Sequence, residues 1–267
     1  MRYPQTHKSC AVAVSALSHT IQGMGPSARA TLIFDGDDTL WRTMPLYTAA
    51  KQQFIRQMGK WGFDVIAVEA EFEERDVRNV ANWGFTVERF RRSMLETYHL
   101  FSEKRGRVIR PPDELRISTF AASVLRRKVR AMPGARAVLE RLQGTCRLVL
   151  VSKGEPGLQA RRVVESRLGQ FFERVMIVPG KDRAVFGEIV AELGLRPARS
   201  WSIGDSFRSD IKPALEAGLN AIWIPQSTWG YESSGPTGED GAVVRIDTIR
   251  ALPTALKEVG ALDDISL

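Results

Sequence analysis

The sequence predicts an α/β fold: a Rossmann-like parallel sheet core with helices on both faces, and an inserted all-helical domain. Three observations lead there. Six short runs are near-continuously apolar, as strands buried on both faces of a parallel sheet are. Helical patterns separate those runs after residue 130. Residues 44–131 break the alternation, with helix-period apolar spacing and no convincing strand.

Taken in order, residues 1–27 are expected to form a flexible tail. Arg2 and Lys8 ahead of the apolar run 10–17 weakly imitate a signal peptide, but the run is short, polar residues interrupt it and no clear cleavage site follows. No apolar stretch approaches the roughly 20 residues of a membrane-spanning helix. A cytoplasmic location with no membrane partner is the expectation. The two cysteines, Cys10 and Cys146, cannot build a disulfide framework and are expected as reduced thiols. The histidines, His7, His19 and His99, are scattered and form no ligand pattern with a cysteine. With 43% hydrophobic residues in 267, the chain can bury a sizeable core.

The core is expected to span residues 28–43 and 132–267. Its strands are expected at 31–34, 147–151, 175–178, 201–203, 221–224 and 243–246. Pro133 and Gly134 open a helix over ARAVLERL, and Pro156 sits in the first turn of one running to about Leu168. Asp182 can cap DRAVFGEIVAELG, which stops at Gly194, and a helix from about Ser209 to Ala217 stops at Gly218. The stretch 233–241 reads as a surface loop. The insert, residues 44–131, reads as four helices. Leu46, Ala50, Phe54 and Met58 recur at four-residue spacing, as do Phe90, Met94 and Tyr98, with Leu95 alongside. Two further helices are expected near 64–82 and 112–130. Entry near Met44-Pro45 and exit near Met132-Pro133 read as paired hinges.

The chain carries a net charge of +7. Residues 42–131 hold 18 Lys plus Arg against 11 Asp plus Glu, so the whole excess sits in that one stretch. Solvated helix faces account for most of it, and a positive lid over an anionic substrate is the functional alternative. Long basic tails and aromatic–basic alternation are missing, so no nucleic-acid partner is expected. Nothing in the sequence sets an oligomeric state.

The chemistry is carried by Asp35-Gly36-Asp37-Asp38-Thr39, directly after the first predicted strand. Three carboxylates in four residues oppose one another's ionisation, and a divalent cation is the natural offset. Oxygen-only ligands favour magnesium. A second acidic pair, Asp205 and Asp210, follows the strand 201–203 through Gly204, and the two clusters can share one metal. Between them, Ser152 and Lys153 end one strand, and Lys181 follows another. A hydroxyl can donate to a phosphoryl oxygen, and an ammonium can offset its charge. A carboxylate nucleophile is already ionised at neutral pH and needs no base.

With those motifs the sequence resembles the haloacid dehalogenase superfamily of phosphohydrolases. The resemblance rests on LIFDGDDTL, on LVLVS ending at Ser152, on Lys181, and on Gly204, Asp205 and Asp210. It implies that Asp35 attacks phosphorus to form an aspartyl phosphate, and that Asp37 protonates the leaving oxygen and then activates water. It also implies magnesium held by Asp35, the Asp37 backbone carbonyl and Asp205, with Asp210 nearby through a water or by orienting Lys181. Phosphoryl oxygens would be held by Ser152, Lys181 and backbone amides near Gly36 and Lys153. The insert would be the family's helical cap, of the C1 type. Asp38 stands where glycine is commonest, and either adds to the metal's outer shell or faces solvent. The expected function is hydrolysis of a small phosphate monoester. A phosphomutase, a 2-haloacid dehalogenase, a phosphorylatable signalling module and a non-catalytic phosphate-binding protein are the alternatives, with Asp37 arguing against the dehalogenase.

Overall fold

The computed structural model describes residues 29–226, 229, 231, 232 and 243–262. The tail expected over 1–27 and the loop expected over 233–241 lie outside the described residues. The core sheet has six parallel strands: β1 (Thr31–Phe34), β4 (Arg147–Lys153), β5 (Arg174–Val178), β6 (Ser200–Gly204), β7 (Asn220–Trp223) and β8 (Val244–Arg245). Their order across the sheet is β5-β4-β1-β6-β7-β8, with every neighbouring pair parallel. β1 is central, with Thr31 in register with Arg147 on one side and Ser200 on the other. The C-terminal ends of β4, β1 and β6 therefore lie side by side, at the edge where parallel sheets bind ligands.

Burial on both faces explains the unbroken apolar runs. Leu32 and Phe34 of β1 pack on one side with Leu148, Leu150 and Ile203, against α5 (Ala135–Leu142), α6 (Pro156–Ser166) and α9 (Leu252–Glu258). Ile33 points to the other side, with Val149, Val151 and Met176, against α7 (Arg183–Glu192) and α8 (Lys212–Glu216). Asp182 caps α7 as expected, accepting from Val185 N at 2.9 Å.

Between β1 and β4 come the four helices α1 (Met44–Lys60), α2 (Val65–Trp83), α3 (Val87–Lys104) and α4 (Pro111–Arg126). They share a core of their own, in which Ala50, Phe54, Met58, Phe90, Met94 and Tyr98 are buried with Phe72 and Ile117. The four-residue spacing thus reports packing between helices.

Two expectations need correcting. The stretch 44–131 does contain a strand: β3 (Arg130–Ala131) pairs antiparallel with β2 (Trp41–Arg42), and α4 ends at Arg126. The two connections to the helices are thus tied into one ribbon, extended by Met132 N donating to Leu40 O at 2.8 Å. Two-residue strands are too short for any periodic signal. The helix expected from Ser209 begins as a wide π-helical turn, Phe207–Ile211, before α8. Such turns cluster at functional sites, and this one carries Asp210. Among the described residues, no helix is long and apolar enough to cross a membrane.

Candidate active site

The turn after β1 is built around a glycine. A Cβ on Gly36 would lie 2.4 Å from Trp41 Cζ2 and 3.2 Å from Ser152 Oγ. Only a hydrogen lets the backbone pass between the Trp41 ring and the end of β4. Gly204 does the same after β6, where a Cβ would sit 2.3 Å from the carboxyl carbon of Asp210. That contact explains how Asp210, six residues along, folds back against the strand end.

Three carboxylates converge at the middle of the sheet edge. Asp35, Asp205 and Asp210 are all buried, and one oxygen from each lies within 4.8 Å of the others. Lys181 Nζ, itself buried, donates to Asp35 Oδ1 at 2.5 Å and to Asp210 Oδ1 at 2.7 Å. Ser206 N donates to the other Asp210 oxygen at 3.1 Å, and Thr39 Oγ1 reaches Asp205 Oδ1 at 3.4 Å. Burial pushes Asp35 up to about 7, Lys181 opposing and Asp210 adding to the rise. Burial, then repulsion from Asp35 and Asp210, raises Asp205 well above the usual carboxylate range. Burial would lower Lys181, but Asp210 and Asp35 outweigh it and hold its ammonium above the usual lysine range. Three carboxylates and one ammonium leave a formal charge of −2 when ionised. A divalent hard cation fits both that charge and the all-oxygen donor set.

Asp37 stands apart from this trio. Trp41 Nε1 donates to its Oδ1 at 2.7 Å; Gln159 Nε2, at 2.9 Å, and Arg162 donate to its Oδ2. With the carboxylate engaged there, the backbone carbonyl remains as the atom that the resemblance assigns to a metal. Asp38 does not simply face solvent. Its carboxylate accepts from Thr43 N at 2.9 Å, Thr43 Oγ1 and Met44 N at 3.0 Å, and so caps α1, whose own flanking residue Thr43 supplies no side-chain cap. Burial raises its pKa, and its backbone sits at φ +60°, which explains why glycine would suit this place.

Ser152 is 1% exposed, and its Oγ has no hydrogen-bond partner. A buried hydroxyl left unpaired is costly, and a phosphoryl oxygen would satisfy it. The Lys153 side chain is committed elsewhere: it pairs with Glu232, donates to Ser209 Oγ at 2.6 Å and lies over the Phe85 ring at 4.3 Å. A chamber of about 610 Å3 opens above these groups, between the sheet edge and helices α1–α3.

The arrangement agrees with comparison to known proteins. Residues 30–218 match the family model of the haloacid dehalogenase-like hydrolases. The chain belongs to that family. It is 25% identical over 202 residues to a glyceraldehyde 3-phosphate phosphatase of Pyrococcus abyssi, covering 72% of this chain and 80% of that one. It is 26% identical over 221 residues to a phosphoserine phosphatase of Thermus thermophilus, covering 72% and 87%. A haloacid dehalogenase-like hydrolase from Xanthomonas campestris superposes with TM-score 0.74 at 25% identity, covering 90% of this chain and 97% of that one.

For this haloacid dehalogenase-like hydrolase, sequence reasoning missed the groups that hold Asp37 and Lys153. Gln159 and Arg162 lie three apart on α6, a spacing that puts them on one helix face. Both are buried, at 3% and 2% exposure, and two polar side chains at neighbouring inward positions were the available signal. Glu232 gave none, since its partner is 79 residues away. The insert's excess positive charge does not face the chamber. Its charged lining residues there are Lys51, Glu73, Asp76 and Arg89, two of each sign.

Proposed function

We propose that this chain is a magnesium-dependent phosphatase that hydrolyses a small phosphate monoester through an aspartyl phosphate on Asp35. The coarser reading, a hydrolase acting on phosphate esters, rests on the family and on its phosphatase relatives. The observation that carries the finer one is the contrast between two carboxylates two residues apart. Asp35 lies in the buried trio beside Lys181, and Asp37 lies outside it, held by Trp41, Gln159 and Arg162. One site thus offers a nucleophile and a separate proton carrier.

Asp35 attacks phosphorus while the ester P–O bond breaks, and Asp37 gives its proton to the leaving oxygen. Lys181 and Ser152 hold the phosphoryl oxygens during transfer. Asp37 then takes a proton from water as that water attacks the aspartyl phosphate, which releases inorganic phosphate and restores Asp35. Magnesium, held by Asp35, Asp205 and the Asp37 carbonyl with Asp210 beside it, would keep Asp35 ionised and offset phosphoryl charge. The insert acts as a cap that screens the chamber from water. A cytoplasmic setting belongs to the same proposal.

Hydrolysis of phenyl phosphate should require added magnesium, stop with EDTA and vanish in Asp35→Asn. Activity that survives both treatments would overturn the mechanism.

A further inference from the structure

The chamber above Asp35 has to accept whatever the phosphate is attached to, and its walls are specific. Eight carboxylates and four cations line it. All four cations are already paired: Lys51 with Glu69 at 2.9 Å and Glu73 at 2.6 Å, Arg89 with Asp76 at 3.1 Å, Lys153 with Glu232, and Arg162 with Asp37. A second anionic group on the substrate would therefore meet no unpaired cation among the described lining residues. It would instead face Glu73, Asp76 and Glu232, at a cost in a partly desolvated site.

The rest of the wall is aromatic. Tyr47, Phe72, Phe85 and Phe90 come from the insert, and Trp229 comes from the segment after β7. Tyr47 meets Phe90 edge to face at 5.2 Å, and Phe72 meets Phe90 at 5.6 Å. The Arg89 guanidinium covers the Trp229 ring at 4.2 Å; Trp229 stacks on Tyr231 at 5.1 Å and 21°, and Tyr231 meets Phe85 edge to face at 5.6 Å. Tyr47, Phe90 and Phe72 thus form one run of ring contacts within the insert, and Phe85, Tyr231 and Trp229 form a second that joins the insert to the core segment. Two polar atoms within this lining are buried and have no partner: Gln159 Oε1 and Trp229 Nε1. Gln159 Nε2 donates at 2.9 Å both to Asp37 Oδ2 and to Lys153 O, which fixes the orientation of the amide and leaves Oε1 an acceptor without a donor. Unmade hydrogen bonds at such a place cost stability that a ligand can restore.

We propose that the chamber selects phosphate monoesters whose leaving group is uncharged and carries a flat unsaturated ring, with a hydroxyl or N–H that Gln159 Oε1 accepts. The ring lies against the Phe85–Trp229 side, and the donor lies close to the ester oxygen, because Gln159 shares Asp37 with it. This inference rests on the phosphatase reading and narrows its substrate.

Four probes separate the contributions: uridine 5′-monophosphate (ring and donors), phenyl phosphate (ring, no donor), glycerol 3-phosphate (donors, no ring) and 3-phosphoglycerate (a carboxylate, no ring). With magnesium, kcat/KM for uridine 5′-monophosphate should exceed that for glycerol 3-phosphate by about tenfold or more, the size expected for one or two ring contacts. Phenyl phosphate should fall between them, and 3-phosphoglycerate should be poorest. Calorimetric titration of the same esters into Asp35→Asn should give the same order, independent of turnover. Phe85→Leu should bring the uridine-to-glycerol ratio to about threefold or less, and Phe85→Tyr should restore it. Magnesium- and Asp35-dependent turnover that shows no ring preference, or that favours 3-phosphoglycerate, would overturn the inference and leave the phosphatase reading standing. No Asp35-dependent turnover of any probe would overturn both.

Discussion

Replacing Arg162 by methionine tests whether Asp37 moves a proton. Arg162 is 3% exposed in its side chain and donates to Asp37 Oδ2; Asp37 is 28% exposed and has two further donors, Trp41 and Gln159. Arg162→Met removes the ionic donor and leaves the carboxylate free to rotate about the other two. General acid catalysis is worth about 100- to 10,000-fold, and misplacing a reacting group by about 1 Å costs about 100-fold. For glycerol 3-phosphate, whose alkoxide leaves poorly, kcat/KM should fall about 100-fold. For 4-nitrophenyl phosphate, whose leaving oxygen needs no proton, the fall should stay under about tenfold. Using kcat/KM confines the comparison to phosphoryl transfer to Asp35, before any later step. The lost charge-assisted hydrogen bond should also cost about 1.5–3 kcal/mol of stability, so both assays belong well below the variant's Tm. Equal losses on the two esters, in a folded variant, would refute the role given to Asp37 and its Arg162 support.

Three further outcomes follow from single observations. Asp38→Ala should destabilise the protein by about 1–2 kcal/mol through loss of the α1 cap, while Asp38→Gly, relieved at φ +60°, should lose about 1 kcal/mol less by thermal melting; a glycine variant less stable than the alanine one would contradict the capping account. Gly36→Ala should cost about 1–3 kcal/mol and most of the activity, because its Cβ would lie 2.4 Å from a Trp41 ring carbon; wild-type Tm and turnover would show that the turn is loosely packed. Burial raises Asp35 from 3.8 to about 7, so the folded metal-free state holds a proton that the unfolded chain releases between those values. That contribution is fully present below pH 3.8 and is lost as pH rises through about 7. In EDTA, Tm should therefore fall between pH 5 and pH 8, and the Tm gain on adding magnesium should be larger at pH 8, where no proton has to be displaced; a gain larger at pH 5 would contradict the assignment.

Much of the fold could be read directly. The strand ends at 34, 178 and 203 fell within one residue of those observed, because strands covered on both faces are apolar throughout and stop where chemistry begins. Motif order also brought Asp35, Asp205, Asp210, Lys181 and Ser152 to one sheet edge, since each ends or follows a strand and β1 lies between β4 and β6. What escaped was long-range or directional. The β2–β3 ribbon joins residues 41 and 131, and no local pattern marks either. The Arg162–Asp37 pair spans 125 residues, and Glu232 reaches Lys153 across 79. The charge excess of the insert was countable, but a count does not say which helix face carries it. Only the folded chain shows Lys51 and Arg89 already paired where they face the chamber. The capping contact of Asp38 escaped for a related reason: the residue belongs to the acidic motif in sequence and to the start of α1 in space.

Trapping the phosphoryl group tests most directly whether Asp35 is the nucleophile at phosphorus. Asp37→Asn protein, slowed in hydrolysing its intermediate, should be mixed with magnesium and 4-nitrophenyl phosphate, whose leaving oxygen needs no proton from Asp37, then quenched in acid and analysed by peptide mass spectrometry. One phosphoryl group is expected on the peptide containing Asp35, removable by hydroxylamine and missing from the Asp35→Asn, Asp37→Asn double variant. Phosphate release by the Asp37→Asn protein with that peptide unmodified, or the phosphoryl group on another residue, would contradict it.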